Sequence, residues 1–301
     1  LENTKTKGYL CALAAVLIWS GFILVSRMGG ISPLTAYDII AIRYISCAAF
    51  VFPFWFFWQR FNLFQPKLII CSFIGGLAYA LCAFNGFKVT PASHAAVLLP
   101  GLLPITIALI SRVINKERHS AVKWLGIMMI TFGIMALFWY EFQKTGSLSV
   151  GHGLLVGAAV CWATFSVLIN RWGISPWEAT VSLAVITCVV YIPVYLMYLP
   201  KNISTDLLQD IGVQVFYQGF LATIVQMLFY VRAVQLIGAA NMGSMMAIVP
   251  ILAGCSAIYI FDESLSTVLV FAMLCVSLGV WVANSKWNTG VFRINSVKHE
   301  A

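Results

Sequence analysis

Arg43 sits inside IAIRYISCAAF, a stretch otherwise made for hydrocarbon. A guanidinium there is expensive to desolvate, so it faces either a polar cavity or carbonyl oxygens that it ties together. Asp38 is a poor partner along the same helix, because a spacing of five turns it about 140° around the axis. His94 opens a later apolar run and is the best proton-titrating candidate, with capping or loop packing as its plainer role. Tyr79, Asn85, Gln226 and Tyr230 bring hydrogen-bonding groups into runs that would otherwise suit lipid, and each needs a polar partner there. Trp19 lies roughly 18 Å into its run if that run is a helix, too deep for the near interface. Trp162 has the same depth in a later run. Both tryptophans either pack between helices or offer an organic solute a broad apolar face with one N–H donor.

This chemistry is that of binding. No Walker loop, HExxH or GxSxG occurs, and the four histidines (His94, His119, His152, His299) are dispersed along the chain. The eight cysteines are scattered through apolar runs without a CxxC and read as small packing residues. No catalytic residue, metal site or cofactor is expected. The candidate solute-binding set is Trp19, Tyr79, Asn85, Trp162, Gln226 and Tyr230. Pro100 and Pro104 stand four apart, so their rings crowd the carbonyls of Ala96 and Pro100, and Pro250 does the same near Met246. Each such kink is either a static bend or a hinge for a moving half.

The elements that must hold these residues follow from composition. The chain is 61% hydrophobic and 9% charged, against roughly 25% charged residues in soluble domains. Ten runs reach the length needed to cross a bilayer as helices: about 8–27, 35–58, 68–88, 92–113, 121–140, 152–170, 178–199, 211–235, 241–261 and 265–285. The alternating stretches of an outer-membrane barrel are absent. The expected class is an all-α membrane protein with ten transmembrane helices, whose partners are the lipid bilayer and a small-molecule solute. Lys5 and Lys7 before the first run imitate a signal peptide, but the run is long and no small-x-small site follows it.

Ser72, Gly75, Tyr79, Cys82 and Gly86 share one face of the third run, which allows close helix packing beside a polar cavity. The eighth run carries Gln214, Tyr217, Gln218, Thr223, Gln226 and Tyr230, and the third and eighth are expected to line that cavity. Trp55, Trp58, Trp139 and Trp287 sit at run ends and suit the interfacial belt.

The net charge of +8 is not a nucleic-acid footprint once Lys and Arg are sorted by side. With the N-terminus cytoplasmic, Arg27, Lys88, Lys144 and Lys201 fall outside, Arg43 lies within a span, and the other thirteen, among them Lys286, Arg293 and Lys298, fall inside. That bias places both termini in the cytoplasm, in a cytoplasmic (inner) membrane.

The chain also repeats itself. GYLCALAAVLIWSGFILVSRMGGISP at 8–33 returns as GHGLLVGAAVCWATFSVLINRWGISP at 151–176, with Trp19 on Trp162. Pro104, Glu117, Ser120 and Gly133 return 146 residues later as Pro250, Glu263, Ser266 and Gly279. The units are residues 1–146 and 147–301. Five spans per unit is an odd number, so the second unit is inverted. Charge agrees: Asn115-Lys116-Glu117-Arg118 is basic, whereas its counterpart Phe261-Asp262-Glu263-Ser264 has lost its basic residues.

With its Trp in the first span, Arg in the second and duplicated P-x12-E-x2-S-x12-G pattern, the chain resembles the EamA-type members of the drug/metabolite transporter superfamily. The resemblance covers about residues 8–285, and the second half departs from it at Ile186, opposite Arg43. It implies a ten-helix bundle, made of two inverted five-helix repeats, that moves small organic solutes, often amino acids and often outward. Small multidrug relatives use a first-span Glu, but Leu10 to Val25 contains no acid, which favours neutral or zwitterionic solutes. The expected function is amino-acid export by alternating access. The alternatives are a proton-coupled permease for drugs, nucleosides or sugars, with His94 passing protons, and a non-transporting receptor or assembly subunit. Monomer and homodimer both stay open.

Overall fold

The structure, a computed structural model, describes residues 2–285. Lys286, Trp287, Arg293, Lys298 and His299 of the charge, belt and histidine readings lie outside the described residues. Ten helices are long and apolar enough to cross a membrane: α1 Thr4–Ile31, α2 Ala36–Phe57, α3 Pro66–Val89, α4 Ala92–Ile114, α5 Ala121–Thr145, α6 Val150–Arg171, α7 Pro176–Tyr198, α8 Thr205–Ile237, α9 Asn241–Phe261 and α10 Thr267–Asn284. No strand occurs among the described residues.

Local chemistry sets where these helices start and turn. α2 opens on a capping box in which Thr35 Oγ1 accepts from the Asp38 N–H and the Asp38 carboxylate accepts from the Thr35 N–H. Ser175 and Glu178 open α7 in the same way, with Pro176 at the first helical position. The boxes are 140 residues apart (175 − 35), so this register sets Leu183, not Ile186, opposite Arg43. Neither is basic. The α4–α5 and α9–α10 connections also share one conformation. Each passes through a left-handed residue, Lys116 at φ 57° and Asp262 at φ 52°, and ends on a serine N-cap, Ser120 or Ser266.

The main helix pairs cross between repeats and come in reciprocal sets. α1 packs on α8 as α6 packs on α3, and α4 on α6 as α9 on α1. α2, α4 and α5 pack on their own counterparts α7, α9 and α10. That reciprocity is what a two-fold axis lying in the membrane plane requires.

α3 and α8 share a further peculiarity, a π-helical stretch at Ser72–Ala78 and at Val215–Val225. Such wide turns displace carbonyls from the regular ladder, and they mark functional sites more often than chance. The neighbouring helices donate to them: Tyr44 Oη to the Gly76 carbonyl at 2.9 Å, and Cys47 Sγ to the carbonyls of Gln218 and Gly219 at 3.7 Å. Close approach depends on glycine here. A Cβ on Gly76 would collide with Thr187 Oγ1, and one on Gly219 with Ser46 Oγ.

The outside of the bundle is apolar. Phe57, Trp58, Tyr198 and Tyr259 are each at least 74% exposed, a surface suited to lipid. Trp58 and Trp139 are exposed, while Trp55 is half-buried and donates to the Phe61 carbonyl.

Candidate solute-binding site

Two faces of the bundle need names. The N-terminal face carries the connections after α2, α4, α6 and α8, and the opposite face carries those after α1, α3, α5, α7 and α9. The centre between them is aromatic. Tyr79 on α3 packs on Trp162 of α6 at 5.0 Å between ring centroids, and Trp162 packs on Phe165 at 5.2 Å. The small-residue face of α3 permits this approach: a Cβ on Gly75 would collide with the Phe165 ring. Trp19 is half-buried against the core. Asn85 is half-buried and donates to the Leu81 carbonyl of its own helix at 2.8 Å. Tyr79 and Trp162 are thus brought together, whereas Asn85 is engaged locally.

Arg43 is nine-tenths buried between α1, α2, α3 and α8. Its guanidinium donates to Gln218 Oε1 at 2.5 Å and lies 5.5 Å from the Phe22 ring and 5.9 Å from the Phe84 ring. The partner is a side-chain amide of α8, 175 residues away. Asp38 is taken elsewhere: its oxygens accept from the N–H groups of Thr35 and Asn202 and from Tyr195 Oη at 2.5 Å.

The amides of α8 divide into two groups. Gln214 donates to the Val25 carbonyl at 2.9 Å, Tyr217 to the Ile18 carbonyl at 3.0 Å, and Gln218 to Ser26 Oγ at 3.0 Å. These three bind α8 to α1, whose Gly21 and Gly29 leave room for Tyr217 and Gln214. Gln226 is half-buried and Tyr230 is 37% exposed, and neither side chain has a hydrogen-bond partner among the described residues.

The opposite face is tightly fastened. Glu263 reaches from the α9–α10 connection to the first turn of α4, accepting from the N–H groups of Ala92 at 2.6 Å and Ser93 at 2.8 Å. A carboxylate there satisfies orphan donors and complements the helix dipole. Arg27 donates to the carbonyls of Phe87 and Lys88, both at 2.8 Å, and Asn202 Nδ2 donates to the Pro33 carbonyl at 2.7 Å. Glu117, the repeat counterpart of Glu263, is exposed and accepts from Asn115 Nδ2 at 3.0 Å. That bond holds its carboxyl below the usual carboxylate range.

His94 shares this face with a residue 58 positions away. Its Nδ1 lies 3.1 Å from His152 Nε2, and its Nε2 lies 3.7 Å from a carboxylate oxygen of Glu141 on α5. Two of the four dispersed histidines, His94 and His152, therefore meet in space. His152, Glu141 and the cross-repeat role of Glu263 were missed in the sequence, where the repeated P-x12-E pattern was the only signal for the last.

Burial changes sharply along α4. Residues 92–101 are all buried, and 102–107, around Pro104, are all half-buried. On α8, Gln214, Gln218 and Gly219 are buried, while 205–213 and 220–227 are half-buried or exposed. Pro100 belongs to the enclosed half and Pro104 to the loosened half. Pro250 is buried and restarts α9 after a 3₁₀ turn at Met246–Ile248. A separate groove of about 740 Å³ lies between α1, α9 and α10, lined by Asn241, Ile251, Leu274 and Trp281 among others. No residue of α3, α6 or α8 lines it, so it is distinct from the central site.

Comparison with known proteins agrees with this architecture. A model of the EamA-like transporter family matches residues 6–139 and again 149–285. "Uncharacterized transporter YyaM" of Bacillus subtilis (strain 168) is 27% identical over 233 residues, 75% of this chain and 73% of that protein. A crystal structure 19% identical in sequence shares the fold with a TM-score of 0.61, over 92% of this chain and 96% of its own.

Proposed function

Because this chain belongs to the EamA-like transporter family, we propose that it is a secondary carrier that exports amino acids or related neutral and zwitterionic solutes by alternating access. Residues 1–146 and 147–301 form its two halves, and Trp19, Tyr79, Asn85, Trp162, Gln226 and Tyr230 lie along the solute path. The N-terminal face is cytoplasmic in a cytoplasmic (inner) membrane. One observation supports this reading most: the opposite face is fastened by Glu263, Arg27 and Asn202, whereas α4 passes from buried at 92–101 to half-buried at 102–107 toward the N-terminal face. A bundle closed on one side and slack on the other is one stage of a two-sided cycle. Pro104 lies where α4 changes from buried to half-buried, which suits a bending element, and Pro100 and Pro250 interrupt the paired helices α4 and α9.

The test is counterflow in proteoliposomes with labelled amino acids, nucleosides and sugars. Amino acids are expected to exchange, and failure of every class would defeat the carrier reading. Labelling of single cysteines placed at Lys5 and Lys201 in intact cells checks orientation, with reaction expected from outside only at position 201. A proton-coupled variant is favoured by the His94–His152–Glu141 cluster. It requires flux to follow an imposed pH gradient and His152→Ala to abolish that response.

A further inference from the structure

From Arg43 and Tyr79 we infer a built site for the carboxylate group of the transported solute, an assignment that rests on the carrier reading above. Both residues are buried, at 9% and 8% exposure. The polar neighbours of the guanidinium are Gln218 Oε1 and the Tyr44 hydroxyl, and both are neutral. At most two of its five N–H groups are thereby occupied. The Tyr79 hydroxyl has no hydrogen-bond partner among the described residues, and it lies within electrostatic reach of Arg43.

The free donors are not walled in. Ser20, Ser72 and Ser277 are orphaned polar groups sealed inside protein, but neither Arg43 nor Tyr79 is among them. Each of the two keeps a margin of accessible surface, 9% for Arg43 and 8% for Tyr79. A desolvated charge with no counter-ion is costly, and intramembrane cations normally pair. Asp38, the nearest carboxylate along α2, is saturated by Thr35, Asn202 and Tyr195. The missing counter-ion is consequently one that arrives and leaves.

Geometry narrows its chemistry. A guanidinium fork takes a carboxylate through two parallel N–H···O bonds, and a tyrosine hydroxyl can donate a third. Gln218 presets the fork, because its own amide N–H is committed to Ser26 and its oxygen must face Arg43. Phe22 and Phe84 flank the guanidinium, and no lysine joins it, so the site carries one positive charge and suits a monoanionic group better than a phosphate dianion. Trp162, packed on Tyr79 with the rings tilted by 50°, is placed to take the apolar remainder of the solute.

The experiment is a binding series on the purified full-length protein, using thermal shift and counterflow. Each neutral amino acid is compared with its methyl ester and its decarboxylated amine. The acids are expected to bind about 10- to 100-fold more tightly than either derivative, the range for losing charged hydrogen bonds. Tyr79→Phe should fold normally and weaken the acids about 3- to 10-fold, the loss of one hydrogen bond. Arg43→Lys should weaken them further while leaving the esters unchanged. Equal binding of acids and esters by the natural protein overturns the assignment, as does unaltered affinity in both folded variants. If only sugars or nucleosides exchange, the carboxylate site falls and the carrier stands. If nothing exchanges, the carrier reading itself fails.

Discussion

Glu263 shows how much one side chain can hold. It belongs to the second repeat, yet it caps a helix of the first, and α4 has no other side-chain cap because Pro91 stands at the N-cap. Glu263→Gln keeps the size but removes the charge that the helix start favours, and should cost about 1–3 kcal/mol of stability. It should also expose the first turn of α4. A cysteine at Ser93, now 1% exposed, should react with a membrane-impermeant maleimide several-fold faster in that background. Unchanged labelling would mean that Arg27 and Asn202 hold this face without it. Residue types were legible in the sequence, but their partners were not. Arg43 could be singled out as an intramembrane cation, whereas Gln218, 175 residues away, could not be assigned to it. His94 and His152 likewise meet only because α4 packs on α6.

At the scale of the helices, α1 and α8 behave as one element. Three hydrogen bonds from Gln214, Tyr217 and Gln218 stitch them together, and Gly21 and Gly29 let the two approach closely. Gly21→Val would drive its branches into the Tyr217 hydroxyl and break the bond to Ile18. The expected penalty is about 1–3 kcal/mol from overpacking, read as a lower melting temperature, whereas Gly153→Ala on α6, which meets open space, should be silent. The amides of α8 pointed to a cavity-lining helix, and three of its polar residues, Gln214, Tyr217 and Gln218, instead meet α1. A buried amide satisfied by a carbonyl and one lining a cavity look alike in sequence, so the partners on α1 were not legible. The two π stretches were illegible for a related reason. A wide turn depends on donors supplied by neighbours, here Tyr44 and Cys47, and no local propensity encodes them.

For the whole molecule, ten spans and their duplication were readable because hydrophobic length and self-similarity need no tertiary knowledge. The reciprocity of helix pairs was implied by the repeat, but the difference between the two faces was not, because one sequence serves every stage of a cycle. On the fastened face Asn202 Nδ2 donates to the Pro33 carbonyl and Thr35 Oγ1 to the Pro200 carbonyl, bridging the first repeat to the second. Cysteines replacing Pro33 and Asn202 should therefore cross-link readily. Oxidation is expected to stop counterflow almost completely and reduction to restore it. Undiminished exchange in the oxidised protein would show that this face never has to part.

The wide turns of α3 and α8 carry a last implication. A coil wound on the i→i+5 pattern packs more residues into each revolution than its flanks, so each of these helices stores slack. Passing that excess one step along the chain would swivel the residues it passes without unravelling the rod. Removing one residue from 72–78 should let that stretch rewind regularly, and Tyr79 would keep nearly the same bearing toward Trp162, because the wide turn already absorbs the extra residue.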